Sequence, residues 1–262
     1  MKAKTIRLGA FAAAILAASI GFIFLLARRT PAQGAELLVV VSDGMKPSVE
    51  ELLPQIEHAI GRKVTAQYNS SKNIREKIQS GEPFDVAILT TEIIDDLIKQ
   101  GKITSDTRAE IARTGMGVGV RAGAAKPDVS TPEALKRALV SAKSISFNPS
   151  GASAPHVYSI FEHLGIADSV KPKLMLDPEP GRPQMFVADG KADLVITLIP
   201  EIKFFKGVEL VGPVPAELQS YISFGAGVAS NTKNGDAGKA LIKYITSPAA
   251  APVLKSKALE PR

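Results

Sequence analysis

The sequence predicts an α/β protein built as two lobes. Short β-branched runs alternate with amphipathic helical stretches along residues 36–262, which is the pattern of βαβ units with helices packed on mostly parallel sheets. Two glycine-rich extended segments, 116–120 and 221–229, enclose a second αβ series. We expect the chain to cross between the lobes at these two segments; one continuous doubly wound sheet is the alternative.

The first 35 residues read as an export leader. Basic residues precede an uncharged apolar run over 8–27, and Arg28, Arg29 and the small-residue triplet Ala32-Gln33-Gly34 follow it. This order is typical of a signal peptide. The run is also long enough to span a bilayer, so an uncleaved anchor is the alternative. Either interpretation places the rest of the chain in the periplasm, secreted or tethered to the inner membrane.

Composition excludes several classes of function. The chain has 32 Lys+Arg and 26 Asp+Glu. Five of the bases and none of the acids lie in residues 1–35, which leaves 27 bases against 26 acids and no basic surface for nucleic acid. The absence of cysteine excludes disulfides and thiolate chemistry, and three scattered histidines do not predict a metal site. We expect no cofactor.

Hydrophobic periodicity places the elements of the first half. Strands are predicted at 37–41, 64–68 and 84–89, and helices at 47–60, 71–81, 92–100 and 106–113.

The second half repeats the alternation. Strands are predicted at 144–147, 173–176 and 194–198, and helices at 131–142, 154–164, 183–190, 236–246 and 248–255. The two crossings then divide the chain into lobe 1 (36–117 and 225–262) and lobe 2 (118–224).

Several strings in this order resemble the periplasmic molybdate-binding proteins, which are type II solute-binding proteins. The strings are Ser42-Asp43-Gly44-Met45 after the first strand, Tyr68-Asn69-Ser70-Ser71, Gly81-Glu82-Pro83-Phe84-Asp85, Asn148-Pro149-Ser150-Gly151-Ala152-Ser153, and Val187-Ala188-Asp189-Gly190-Lys191. The resemblance implies the type II periplasmic-binding-protein fold. It also implies a monomer that captures a small anion between its lobes for the membrane subunits of an ABC importer.

The resemblance places the ligand in loops that follow strands. Ser71 matches a serine ligand of the family, and Ser153 matches a backbone N–H ligand. Gly44 stands where the family has a ligand serine, with Ser42 nearby as a substitute, and Leu198 stands where it has a ligand tyrosine. The full expected set is Ser42, Gly44, Ser70, Ser71, Ser150, Ser153 and Arg182. Arg182 would clamp an anion; an exposed arginine and plain helix-capping serines are the alternatives.

The loss of two side-chain donors puts molybdate specificity in doubt and leaves two functions open. The main prediction is capture of an anion such as molybdate or tungstate for import. The alternative is a binding or sensing protein for a small organic acid that is not coupled to import. We expect no catalysis, because the sequence has no nucleophile elbow, HExxH or phosphate loop.

Overall fold

The computed structural model describes residues 36–262. The predicted leader, residues 1–35, lies outside these residues. Between residues 36 and 262, each helix falls short of the length and apolar character that a membrane span requires.

Strands and helices alternate as the sequence predicts, and most bounds lie within three residues of the expected ones. In residues 36–262 the strands are β1 (Leu37–Ser42), β2 (Val64–Asn69), β3 (Val86–Thr90), β4 (Ala109–Arg121), β5 (Ile145–Phe147), β6 (Leu174–Leu176), β7 (Leu194–Leu198), β8 (Val208–Pro213), β9 (Tyr221–Val228) and β10 (Glu260–Pro261).

The helices cover both faces of the sheets. They are α1 (Lys46–Ile60), α2 (Ser71–Ser80), α3 (Thr91–Lys99), α4 (Pro132–Ser141), α5 (Ala154–His163), α6 (Ala167–Val170), α7 (Arg182–Ala188), α8 (Ile199–Lys203), α9 (Gly235–Ile245) and α10 (Ala251–Ser256). A single 3-10 turn, Asp43–Met45, joins β1 to α1.

The sheet of lobe 1 is centred on β1, which pairs in parallel with β2 and β3. Strand β3 then pairs antiparallel with β9. Alternate residues of β1 face opposite layers: Val39 and Val41 pack in the cluster that contains Leu52 of α1, and Val40 packs with Ile74 of α2. Burial on both faces is what a parallel sheet between helices requires.

The sheet of lobe 2 has the same mixed character. Strand β5 pairs in parallel with β6 and β7, and β7 and β8 pair antiparallel with β4. In each lobe the loops that follow the parallel strands therefore lie at one edge, where ligands bind in α/β proteins.

One long strand connects the two sheets. Residues 109–115 of β4 pair with β9, and residues 116–121 pair with β7 and β8. The chain returns from lobe 2 through residues 214–220, after which all of β9 pairs with β3 and β4. The lobe bounds 36–117, 118–224 and 225–262 stay a prediction.

The predicted helix at 106–113 is wrong, because residues 109–113 belong to β4. Ile111 and Ala112 are buried, and Ala112 lies opposite Phe224 of β9. Pairing with β9 overrides the weak helical pattern of this segment. Strand β8 and the short helix α8 were not predicted, because charged residues interrupt their apolar patterns.

Candidate functional site

A cleft of about 450 Å³ lies where the loops of the two lobes meet. The lobe 1 wall holds Ser42 at the end of β1, and Ser70 and Ser71 after β2. The lobe 2 wall holds Asn148 after β5 and Thr197 in β7. Other lining residues are Asp43, Lys46, Pro47, Glu50, Gly151, Ala152, Pro180, Gly181, Pro183, Gln184, Met185, Pro200, Glu201, Phe204, Phe205 and Lys257.

Three serines place hydroxyl groups on the lobe 1 wall, and two of them are hydrogen-bonded to each other. Ser71 Oγ donates to Ser42 Oγ at 2.9 Å and accepts from the backbone N–H of Thr90 at 3.2 Å. Ser70 caps α2, since its Oγ accepts from Asn73 N–H at 3.2 Å. As acceptors in these bonds, the hydroxyls of Ser42 and Ser70 keep their protons for a ligand. The N-terminus of α2 adds the positive end of a helix dipole.

Lobe 2 contributes a hydrogen-bonded row of three side chains. Ser153 Oγ lies 3.3 Å from Thr197 Oγ1, and Thr197 Oγ1 donates to Glu201 Oε2. Thr197 and Ser153 are buried, while Glu201 is half-buried and lines the cleft. Thr197 therefore holds the Glu201 carboxyl in a fixed orientation.

Asp43 and Glu201 are titratable groups with perturbed pKa values. Burial raises the pKa of the Asp43 carboxyl from 3.8 to about 6, and the Lys46 ammonium opposes part of that rise. Burial raises the pKa of Glu201 from 4.5 to about 7; the Thr197 hydrogen bond opposes this rise and the Asp43 charge adds to it. Both shifts move the pKa values of these carboxyl groups toward neutrality, the range in which a carboxyl group can accept or donate a proton.

Both basic residues of the lining belong to lobe 1. Lys46 Nζ lies 3.9 Å from Glu50 Oε1, an exposed pair that leaves the ammonium free to move. Lys257 Nζ lies 2.5 Å from Glu51 Oε2 and 4.7 Å from the ring centre of Phe204. Lys257 of lobe 1 thus contacts an aromatic side chain of lobe 2.

Four of the expected ligand residues lie outside the lining. Gly44 is buried behind it, and a Cβ at that position would lie 2.6 Å from Phe224 Cζ. Ser150 is half-buried, and its N–H donates to Asn148 Oδ1 at 2.7 Å. Ser153 is 2% exposed and bonds Thr197. Arg182 is not among the lining residues, and its guanidinium pairs with Glu179 at 3.0 Å.

The sequence did not predict the acidic pair Asp43 and Glu201 or the buried amide Gln184. Asp43 stands inside the Ser42-Asp43-Gly44 string. The expected ligand set does not include it, because a carboxylate does not fit an oxyanion site. Glu201 follows the end of β7, where a sequence alone does not reveal burial. Gln184, one position beyond the expected Pro183 helix start, has no motif to mark it. Within residues 36–262 no cluster of three or more His, Asp or Glu could hold a metal ion.

Residues 37–258 match the model of the family described as bacterial extracellular solute-binding protein. The chain belongs to this family. Two relatives of this solute-binding protein align over most of its length. The aconitate isomerase of a Pseudomonas species is 27% identical over 247 residues, which cover 90% of this chain and 94% of the relative. The molybdate-binding protein ModA of Azotobacter vinelandii is 27% identical over 235 residues, which cover 86% and 90%.

Solved structures confirm the type II periplasmic-binding-protein fold. The periplasmic molybdate-binding protein of Azotobacter vinelandii matches with a TM-score of 0.71 at 19% identity, covering 85% of this chain and 98% of that one. The sulfate-binding protein SubI of Mycobacterium tuberculosis H37Rv matches with a TM-score of 0.70 at 18% identity, covering 86% of both chains. At these identities the likeness concerns the fold alone.

The aconitate isomerase relative corrects the expectation that the chain is not an enzyme. That expectation rested on missing motifs for nucleophiles, metals and phosphates. General acid–base catalysis requires none of these, because positioned carboxyl groups can accept and donate protons. Two such carboxyl residues need not be separated by a fixed number of residues, so no sequence motif marks them.

Proposed function

We propose that this solute-binding protein binds a small unsaturated polycarboxylic acid between its lobes and isomerises it by proton transfer. The observation that carries the proposal is the placement of Asp43 and Glu201, both with raised pKa, on the lining of one cleft. Carboxyl groups tuned toward neutrality are the expected acid and base of such a reaction. The aconitate isomerase relative supports the same assignment, since aconitate is an unsaturated tricarboxylic acid.

Lobe 1 supplies the groups that bind the first carboxylate. The free hydroxyl protons of Ser42 and Ser70, together with the N-terminus of α2, face the cleft from one side. Ser71 fixes the position of Ser42 through their 2.9 Å hydrogen bond. The ammonium groups of Lys46 and Lys257 lie on the same wall. They are paired with Glu50 and Glu51, so they supply local donors for a carboxylate rather than a net positive surface.

The rest of the lining fits a carbon skeleton. Pro180, Pro183, Met185, Phe204 and Phe205 line the lobe 2 side. Apolar walls with a few placed polar groups are typical of sites for organic ligands, and the cleft volume lies in their usual range of about 300–1,000 Å³. A compact inorganic oxyanion has no apolar surface to place against these side chains.

The proposed reaction is a proton shift across three carbon atoms. The Asp43 carboxylate removes a proton from the CH₂ group next to the double bond, and the electron pair of that C–H bond spreads over the three carbons and the attached carboxyl group. The protonated Glu201 then donates its proton to the far carbon, where the new C–H bond forms as the double bond moves. Asp43 ends protonated and Glu201 ionised, and exchange with solvent restores both groups.

The two lobes have separate tasks in this proposal. Asp43 belongs to lobe 1 and Glu201 to lobe 2, so closure around the ligand brings base and acid together. We propose that closure pivots where β4 passes between the sheets and at residues 214–220, with the lobe bounds as the sequence predicts. We also propose that the chain works as a periplasmic monomer after residues 1–35 direct its export.

Nuclear magnetic resonance tests this function directly. Residues 36–262 would be incubated with trans-aconitate at pH 7, and the appearance of the cis isomer would be followed over time. We expect catalysed interconversion, reduced about 10²-fold or more in Glu201→Gln. The exposed carboxylate of Glu217 provides the matched control, Glu217→Gln, which should retain full activity. Tight aconitate binding without interconversion would contradict the catalytic part of the proposal.

Capture of an oxyanion for an ABC importer is the second candidate function. The hydrogen-bonded pair Ser71–Ser42 and the N-terminus of α2 favour it, because neutral donors of this kind suit an anion. The molybdate-binding relative supports it as well. Calorimetry with molybdate, tungstate and sulfate distinguishes the candidates: affinity for these anions well above that for aconitate would favour import.

A further inference from the structure

Lys257 reaches across the cleft from lobe 1 to lobe 2. Its Nζ atom lies 2.5 Å from Glu51 Oε2 of α1 and 4.7 Å from the ring centre of Phe204, which directly follows α8. The Lys257 side chain is 18% exposed, the lowest value among the ion-paired lysines of residues 36–262. Attraction between an ammonium group and an aromatic ring strengthens as water is excluded, so this contact stabilises the approach of the two lobes.

The backbone fixes Lys257 at this position. Ala258, the next residue, has a φ angle of 60°, the one left-handed φ of a non-glycine residue within 36–262. Its carbonyl oxygen accepts a 2.9 Å hydrogen bond from Thr114 Oγ1, and Thr114 is buried in β4. Glu260 then pairs with Arg113 of the same strand. An unfavourable backbone angle persists only where the surrounding contacts impose it, so Lys257 is held beside the segment of β4 that enters lobe 2.

Phe204 shares one helical turn with the acid Glu201. Its N–H donates to the Pro200 carbonyl oxygen at 3.2 Å, which continues α8 by one residue. Side chains three residues apart on a helix are neighbours, and those of Phe204 and Glu201 both line the cleft. A contact that holds Phe204 against lobe 1 therefore also limits the movement of Glu201 relative to lobe 1.

We propose that Lys257 is a positioning residue that holds α8 near lobe 1 through Phe204. The contact keeps Glu201 at its working distance from Asp43 while the ligand is bound. The hydrogen bond from Thr197 to Glu201 lies within lobe 2, so it orients the carboxyl group without fixing that distance. This inference rests on the proposed function, since it concerns the acid and the base of that reaction.

Steady-state kinetics with trans-aconitate test this role. Lys257→Met keeps the long apolar stem and removes the charge, while Phe204→Leu removes the ring. Each change should lower kcat about 2- to 5-fold, the range that corresponds to the loss of one ammonium–ring contact. The double variant should lose no more than either single variant, because both changes break the same contact. Lys257→Arg should recover the wild-type kcat, since a guanidinium also stacks on aromatic rings.

The double variant also separates positioning from direct contact between Lys257 and the ligand. Loss of a carboxylate donor at Lys257 should raise KM equally with phenylalanine or leucine at residue 204. The positioning effect on kcat, in contrast, requires the ring.

Amide hydrogen exchange without ligand gives a readout that does not depend on catalysis. Exchange at residues 201–204 should quicken about 2- to 5-fold in Lys257→Met and in Phe204→Leu. Lys203 provides the matched control, because its Nζ lies 5.8 Å from the same ring centre but belongs to α8 itself. Lys203→Met should change neither exchange nor kcat.

Additive losses of kcat in the double variant, or exchange at residues 201–204 that is as slow in Lys257→Met as in the wild type, would overturn the inference. Faster exchange in Lys257→Met, in a protein that never isomerises aconitate, would uphold the positioning of α8 and reject the proposed catalysis instead.

Discussion

Gly44 and Leu198 lie against each other across the base of the cleft: a Cβ at Gly44 would be 2.8 Å from Leu198 Cδ1. By the resemblance to the molybdate-binding family, these are the two positions at which the sequence replaces a ligand serine and a ligand tyrosine. The two replacements depend on each other in the structure, because Leu198 and Phe224 occupy the space that a side chain at residue 44 would need.

Gly44→Ser should therefore destabilise the protein by about 1–3 kcal/mol through overpacking. The matched control is Gly235→Ser at the start of α9, where a Cβ meets no atom within 4 Å. Urea unfolding of both variants measures the difference in free energy. If Gly44→Ser is as stable as the control, Leu198 and Phe224 can move to accept a side chain at residue 44. A serine at this position could then act as a ligand.

The raised pKa of Glu201 predicts a pH-dependent cost in stability. The unfolded carboxyl titrates near 4.5 and the folded one near 7, so the native state binds more protons between these values. Stability therefore falls as pH rises through this window. Glu201→Gln removes the charge. The full shift corresponds to about 3 kcal/mol at pH 8, and solvent screening of the half-buried carboxyl reduces the expected gain in stability to about 2 kcal/mol.

Chemical unfolding at pH 4 and pH 8 checks this prediction, since the difference between wild type and Glu201→Gln should nearly vanish at pH 4. Glu217→Gln should show no such dependence. A variant less stable than the wild type at pH 8 would mean that Glu201 is ionised and satisfied in the folded protein, which is incompatible with its role as an acid.

Thr197 positions Glu201 through the hydrogen bond to Oε2. Thr197→Val keeps the shape of the side chain but removes the donor that lowers the pKa of Glu201. We expect the pH–rate profile of isomerisation to shift to higher pH, with kcat reduced about 10-fold and KM little changed. Thr197→Ser restores the donor and should recover the wild-type profile. An unchanged profile in the valine variant would exclude this positioning role.

Most of the fold follows from periodicity alone. The run Leu37–Val41 is buried on both faces, as its continuous apolar character predicts. Ser70 caps α2 through Asn73 N–H, as the Asn69-Ser70-Ser71 string indicates. Residues 109–113 could not be assigned from the sequence, because their strand forms by pairing with β9 and β10, both more than 100 residues away.

Part of the expected ligand set lies on the cleft, and the ligand roles of these residues stay a prediction. Ser42, Ser70 and Ser71 line the cleft because they follow strands that end at one edge. Arg182 pairs with Glu179, three residues earlier, a local ion pair that the spacing in the sequence already indicates. The pKa values of Asp43 and Glu201 depend on burial between two lobes, which no local pattern records.

Ser71→Ala tests the hydroxyl set of lobe 1. The change removes the bond to Ser42 Oγ and the acceptor for Thr90 N–H, so Ser42 loses its fixed position. Affinity for aconitate should fall by about 10-fold, as measured by calorimetry. Ser80→Ala at the exposed end of α2 is the control and should bind normally. Aconitate binding that is indifferent to Ser71 would remove these serines from the site.

Deuterium uptake at carbon tests most directly the central claim, which is that Asp43 removes a proton from one carbon of the ligand and Glu201 donates a proton to another. Aconitate would be incubated in ²H₂O with wild-type protein, Asp43→Asn, Glu201→Gln and Glu217→Gln, and its C–H signals followed by nuclear magnetic resonance. We expect wild type and Glu217→Gln to exchange the CH₂ and vinyl hydrogens, and Asp43→Asn to exchange both at least about 10²-fold more slowly. In Glu201→Gln the vinyl hydrogen should exchange at least about 10²-fold more slowly, while Asp43 still exchanges the CH₂ hydrogens. Exchange that is equally fast in all four proteins, or no exchange by a wild type that binds aconitate, would contradict this claim.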